Sequence, residues 1–222
     1  MIGVDIGNTL TKVYNLDTDT PTLIYTVKTG NIPSIPHSDN ILIASVNSNA
    51  TDIWLKHFPH ATLITRNSPW KFKISPEVYT QTVGIDRLLA VEGAILLGIY
   101  TALIVMLGTA TVINVVSNGT FLGGAISPGI DTMHSALSQK APVIKTFGFK
   151  KGSLIGKTTE EALYSGICYM QALWIDKYNS CVGNLPIIYT GGAFHHIKDI
   201  APSGQYIPSL IALGMKSLQS RI

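Results

Sequence analysis

The amino-acid sequence predicts an α/β protein built from two similar halves, and three observations carry that prediction. Short apolar segments of strand length alternate with longer segments whose apolar residues recur at helical spacing. Each half opens on a strand that ends in a turn of glycine and small hydroxyl residues. Finally, "VDIGNTLTKVY" at residues 4–14 is echoed by "VMLGTATVINV" at residues 105–115. The echo pairs Val4, Gly7 and Thr11 with Val105, Gly108 and Val112, and internal duplication is the economical explanation.

Taken in order, "MIGVDIG", "LTKVYNL", "TLIYTVK", "ILIASV" and "ATLIT" are expected to be strands, with Asp17, Asp19, Pro21 and Asn31 as turn formers between several of them. From Gly84 the pattern changes to "GIDRLLAVEGAILLG", a helix that stops at a glycine before the next strand. "TALIVMLG", "TVINVVS" and "TFLGGAIS" then predict a three-strand meander. Helical "IDTMHSALSQK" and "TTEEALYSGICYMQALWIDKYNS" follow, then the strand "LPIIYTGG" and a last helix, "SLIALGMKSLQS". The expected division is an N-terminal lobe at residues 1–92 and a C-terminal lobe at residues 93–222.

Composition removes several classes of function. With 222 residues and 46% hydrophobic content, the chain can bury one large or two small cores. It contains no apolar run of about 18 residues, and "MIGVDIGN" reads as a strand with an acid in it, not as a leader, so a cytoplasmic protein away from membranes is expected. Cys168 and Cys181 lack metal-type spacing and fit a reducing compartment. The net charge is +3, but only 13% of residues are charged, too few for a broad nucleic-acid surface. Lys140, Lys145, Lys150, Lys151 and Lys157 form one local excess without an intervening acid. It is either a solvated loop or a lure for an anion.

Three glycine turns carry the chemistry. In "DIGNT", Gly7 permits close backbone approach, Asn8 and Thr9 supply donors for phosphate oxygens, and Asp5 is placed to hold magnesium directly or through water. An ordinary hairpin would use the same residues. "LGTAT" offers a second such turn, with Gly108 and Thr109, and "YTGG" at residues 189–192 a third. "GSLIGKTT" is one residue short of a Walker loop, and no G-x-G-x-x-G occurs. "FHH" at residues 194–196, beside the third turn, reads as a nucleotide-edge or surface feature ahead of a metal pair.

The order D-x-G-N-T, G-T-A-T, T-G-G resembles the phosphate-1, phosphate-2 and adenosine motifs of the actin and hexokinase superfamily. "VGIDR" at residues 83–87, "GTFLGGAISPGI" at 119–130 and "IGKTTEEALYSGI" at 155–167 narrow the resemblance to type III pantothenate kinases. It implies two actin/ribonuclease H-like lobes, each a mixed five-stranded sheet flanked by helices, with ATP between them. The implied reaction is ATP-dependent phosphorylation of pantothenate to 4'-phosphopantothenate in coenzyme A biosynthesis. The implied assembly is a homodimer with the pantothenate site at the subunit interface, using Mg2+ and a monovalent cation, K+ or NH4+. Asp5, Gly7, Asn8, Thr9, Gly108, Thr109, Thr190 and Gly191 fall on nucleotide-binding positions. Gly84, Asp86 and Arg87 fall on the pantothenate block, and Tyr79 is a candidate to close over the substrate, or a core tyrosine.

One departure stands out. The resemblance implies an aspartate in the second phosphate motif as general base, and this chain has Met106 there; the internal repeat likewise aligns Met106 with Asp5. A second acidic position, which the resemblance links to the monovalent cation, is Asn114. Methionine neither accepts a proton nor usefully binds magnesium. The alternatives are an impaired kinase that recruits Asp86 or Asp131, a non-catalytic ligand-binding or regulatory relative, or a substituted or misaligned site.

Overall fold

The computed structural model describes residues 1–35 and 40–222, with the side chains at 145 and 146 outside the description; Lys145 therefore drops out of the lysine run. The chain begins with strands β1 (Ile2–Ile6), β2 (Leu10–Asn15), β3 (Thr22–Lys28) and β4 (Ile41–Ser45). Helix α1 (Ser48–His57), the short strands β5 (Thr62–Leu63) and β6 (Lys73–Ile74), and helix α2 (Ile85–Leu96) follow. Then come the meander β7 (Ala102–Leu107), β8 (Ala110–Ser117) and β9 (Thr120–Pro128), and helices α3 (Ile130–Lys140), α4 (Thr159–Tyr164) and α5 (Met170–Cys181). Strands β10 (Ile187–Thr190) and β11 (Gln205–Tyr206) and helix α6 (Leu210–Leu218) complete the chain.

The expected cut after residue 92 is corrected: the compact units are discontinuous. The first comprises residues 1–100, 116–123 and 209–222, the second residues 101–115 and 124–208. The physical reason lies in α6, which packs on α2 of the first unit through two close backbone approaches. A Cβ added to Gly93 would lie 2.1 Å from the Leu210 carbonyl oxygen, and one added to Gly214 would lie 2.1 Å from that of Leu89.

In the first unit the sheet order is β3-β2-β1-β4-β5. β1 pairs antiparallel with β2 and parallel with β4, so the sheet is mixed, with the five strands that were expected. Strand alternation sorts β4 between two cores. Ile41 and Ile43 join Val4, Ile6 and the α1 residues Ala50 and Trp54 on one face. Leu42 and Ala44 join Ile85 and Leu89 of α2 and Ala212, Met215 and Leu218 of α6 on the other. Helix α1 escaped the sequence reading because it buries only Ala50 and Trp54, too sparse an apolar stripe to register as periodic. Its start is fixed by Asn47, whose side chain accepts the Ala50 N–H at 3.0 Å.

In the second unit β7 lies between β8 and β10, with β11 outside β10. β7 is buried along its whole length, which is why "ALIVML" reads as a continuous apolar run. Leu103, Val105 and Leu107 pack with Ile113, Tyr189 and the helical residues Ile130, Ile167, Cys168 and Ile175. The second sheet has a sixth strand where five were expected, because β6 pairs with the Thr120–Phe121 part of β9 that belongs to the first unit. With two residues each, β6 and β11 are below the length at which alternation can be recognised. The long helix expected from "TTEEALYSGICYMQALWIDKYNS" is interrupted by a π-helical stretch, Ser165–Tyr169.

Candidate functional site

In the first unit the chemistry gathers at the end of β1. Asp5 sits opposite Lys12 on β2 and beside Ala44 on β4. Opposed residues of an antiparallel pair share a face, so the ammonium and the carboxylate lie on the same side of the hairpin. The Gly7 N–H closes the turn onto the Leu10 carbonyl at 3.0 Å. Thr29, just beyond β3, holds the turn from behind: its hydroxyl donates to the Gly7 carbonyl at 2.8 Å and its N–H to the Thr9 carbonyl at 3.0 Å. Asn8 and Thr9 form the exposed tip. Sequence reading missed Thr29 and Lys12, since neither lies in the motif, although the hairpin register makes Lys12 recoverable once Asp5 is chosen.

Burial pushes the Asp5 carboxyl up to about 7; Lys12 opposes the shift and the charge of Asp86 adds to it. Asp86 is in the first turn of α2, whose N-cap is Gly84. Its carboxylate folds back over that cap so closely that a Cβ on Gly84 would lie 2.4 Å from Oδ1, and the next nearest side chain is Val46, just past β4. Burial raises the Asp86 carboxyl as well, against hydrogen bonds from the Arg87 N–H and its own N–H. The Arg87 guanidinium lies over the Phe121 ring, 5.4 Å from its centroid. Tyr79 is 70% exposed, which removes its reading as a core tyrosine. Among the described residues no group of three or more histidine, cysteine or acidic side chains could hold a metal ion. The end of β1 does offer a partly desolvated oxygen ligand: the Asp5 carboxylate, raised to about 7 by burial and Asp86 against the opposing charge of Lys12, suits a hard divalent cation.

In the second unit Met106 lies near the end of β7, in register with Thr190 of β10. It is 8% exposed, and its sulfur accepts a hydrogen bond at 3.3 Å from the Nδ2 of Asn114, which is 0% exposed. The two positions where the resemblance placed acids thus form one buried neutral pair. The second turn also closes sooner than the first, with the Gly108 N–H bonded to the Ala110 carbonyl at 3.0 Å. Beyond the turn the two copies therefore match with a slip of one residue. Thr11 corresponds to Thr111 and Val13 to Ile113, all fully buried, and the pairing of Thr11 with Val112 is corrected.

The Thr109 carbonyl is held by the Gly129 N–H at 2.9 Å and by the Thr132 hydroxyl at 2.6 Å, which ties the second turn to the start of α3. Gly191 has φ of +95° and runs so close to β7 that a Cβ would lie 2.1 Å from the Leu107 carbonyl oxygen, so only glycine fits. The structure thus brings Gly108, Thr109, Thr190, Gly191, Met106 and Asn114 together in this unit. Asp131 does not join them as a free acid, because it faces His196 Nε2 at 3.2 Å. In the lysine run, Lys150 meets Glu161 and Lys151 meets Asp199, each at 2.9 Å, which favours a solvated loop over an anion site. No helix among the described residues is long and apolar enough to cross a membrane.

Residues 1–180 match the family model of type III pantothenate kinases. A type III pantothenate kinase of Porphyromonas gingivalis is 37% identical over 149 residues, covering 62% of this chain and 61% of the relative. One of Acidothermus cellulolyticus is 38% identical over 144 residues, covering 61% and 56%. The chain thus spans about three fifths of the length of these relatives. Among solved structures, a conserved Baf family protein of Campylobacter jejuni, named as a transcriptional activator, superposes with a TM-score of 0.74 at 23% identity, covering 99% of this chain and 98% of that one. A ROK family glucokinase of Streptomyces griseus in complex with glucose and AMPPNP superposes with a TM-score of 0.51 at 10% identity, covering 99% and 98%. Both structural likenesses speak for the fold.

Proposed function

The chain belongs to the type III pantothenate kinase family, and on that premise we propose that it transfers a phosphoryl group from ATP to pantothenate, at a rate lowered by Met106. The observation that carries the reading is the cluster in the first unit. Two carboxyls, Asp5 and Asp86, are both raised by burial and are electrostatically coupled, with Lys12 beside the first and Arg87 next to the second. Phosphoryl transfer depends mainly on positioning and charge neutralisation, and such a cluster supplies both.

The roles divide by position. Asn8 and Thr9 at the first turn, and Gly108 and Thr109 at the second, donate to phosphate oxygens, and the Thr190–Gly191 turn takes the adenosine. Asp5 is the ligand for magnesium, which would neutralise phosphate charge there. Gly84, Asp86 and Arg87 receive pantothenate, with Tyr79 exposed to close over it. Met106 cannot take the proton of the attacking hydroxyl, and Asp131 is engaged by His196. Asp86 is therefore the surrogate acceptor: burial raises its proton affinity above that of an ordinary carboxylate, which strengthens it as a base. The test is mass-spectrometric detection of 4'-phosphopantothenate with magnesium and ATP. The wild-type chain should form it, and Asp86→Asn should lower turnover about 10²-fold or more. An Asp86→Asn variant as active as the wild type would remove Asp86 from this role.

The finer family traits are part of the same proposal. A homodimer completing the pantothenate site should appear in sedimentation equilibrium as twice the chain mass, and the two free thiols, Cys168 and Cys181, suit the cytoplasm. The monovalent cation is a different matter. At Asn114 a neutral amide turned toward a thioether offers no anionic ligand, so replacing K+ or NH4+ by Na+ should change turnover less than twofold; a strong K+ requirement would contradict this assignment. The same neutral pair favours a second reading, a relative that binds ATP and pantothenate without turnover, and the product assay separates the two.

A further inference from the structure

Three aromatic rings are stacked beside the third glycine turn. Tyr189 on β10 and Tyr206 on β11 are in direct register in a parallel pair. The Phe194 ring lies against each of them at a centroid distance of 4.7 Å, with interplanar angles of 26° and 19°. Neighbouring strands are about 4.8 Å apart, so Phe194 has entered between the two tyrosines and spread them. The stack is graded in burial: Tyr189 is 1% exposed and Tyr206 42%. Its inner end is anchored by the Tyr189 hydroxyl, which donates to the Pro202 carbonyl at 2.8 Å. Its outer end is anchored by the Tyr206 hydroxyl, which donates to the Gly191 carbonyl at 3.2 Å. Gly191 is in turn the residue pressed against the end of β7, one residue before the Gly108 turn.

An exposed tyrosine held by both a ring and a hydroxyl is a rigid flat surface, with its inner face filled by Phe194 and its ordering cost already met within the fold. We propose that the outer face of Tyr206 is the stacking platform for the nucleobase of the phosphoryl donor. The inference rests on the ATP reading above and adds a specificity to it. A purine or pyrimidine presents a π-face of the right size, and the hydroxyl that fixes the platform ties it to the Gly191 turn. Stacking on one aromatic face reads no hydrogen-bond pattern, so the site accepts ATP and GTP with little discrimination.

Isothermal titration with magnesium separates the possibilities, using ATP, GTP and inorganic tripolyphosphate against the wild type, Tyr206→Ala and Tyr206→Phe. The wild type should bind ATP and GTP within about threefold of each other, and both more tightly than tripolyphosphate. Tyr206→Ala should weaken both nucleotides by about 10-fold or more, within the range known for loss of one base-stacking ring, and leave tripolyphosphate within about twofold. Tyr206→Phe, which keeps the ring and loses the hydroxyl, should retain most of the nucleotide affinity. A parallel loss of ATP and tripolyphosphate in Tyr206→Ala would show that the ring only shapes the turn, and would overturn the proposal. A wild type that binds tripolyphosphate as tightly as ATP would overturn it too, while leaving the phosphate turns in place. If the wild type bound none of the three, the kinase reading would fall with it.

Discussion

At the scale of single residues, Met106 and Asn114 form one buried neutral pair. In the sequence they are two separate positions where the resemblance placed an acid; in the structure the Asn114 amide donates to the Met106 sulfur. Two carboxylates so placed would repel unless a cation lay between them, and an amide with a thioether needs none. Asp5 is the opposite case, an acid retained at an electrostatic cost. Its folded-state value of about 7 exceeds the ordinary aspartate value of 3.8. The stability it contributes is therefore fully present below about pH 4 and lost as pH rises toward and through 7. Asp5→Asn should accordingly melt higher than the wild type at pH 8, match it at pH 4, and lose magnesium-dependent activity; a melting difference that did not change with pH would contradict the assignment. The motif residues of this site were legible because glycine, hydroxyl and acid occur at fixed spacing. Thr29, Lys12 and Phe121 were not, because each enters from another strand and only register brings it in.

At the scale of elements, the junction of α2 and α6 shows what local pattern cannot reveal. Both helices were legible from apolar period, but their mutual packing depends on Gly93 and Gly214, about 120 residues apart in the chain. The same junction buries Glu92, which is 0% exposed and accepts the Ser217 hydroxyl at 2.7 Å, the Lys71 N–H at 2.8 Å and the Arg221 guanidinium. Arg221→Ala would leave that carboxylate buried without its cation and should lower the unfolding free energy by about 3 kcal/mol, at the low end for a broken buried pair because the arginine is partly exposed. Gly214→Ala should destabilise as well, since its Cβ would meet backbone at 2.1 Å, and urea denaturation midpoints check both. Wild-type midpoints in both variants would mean the junction is looser than drawn. The π-helical stretch between α4 and α5 was invisible for a different reason: one inserted residue shifts the apolar stripe without breaking it.

At the scale of the whole molecule, duplication was legible because each half repeats a strand, a glycine turn and a second strand. The one-residue slip after the second turn was not, because a sequence echo aligns letters whereas hydrogen bonds set register. The discontinuity of the first unit was hidden because the helix that α6 packs on lies far back in the chain. Family membership and fold both follow from the matched residues 1–180. The proposed function turns on Met106, the position where the resemblance placed an acid. The most direct test is the initial rate of 4'-phosphopantothenate formation, measured for the wild type and Met106→Asp under the same magnesium and ATP. A slow but measurable wild-type rate, raised about 10²-fold or more by the restored carboxylate, is the predicted result. Equal rates in the two proteins, or no product from either, would contradict the account.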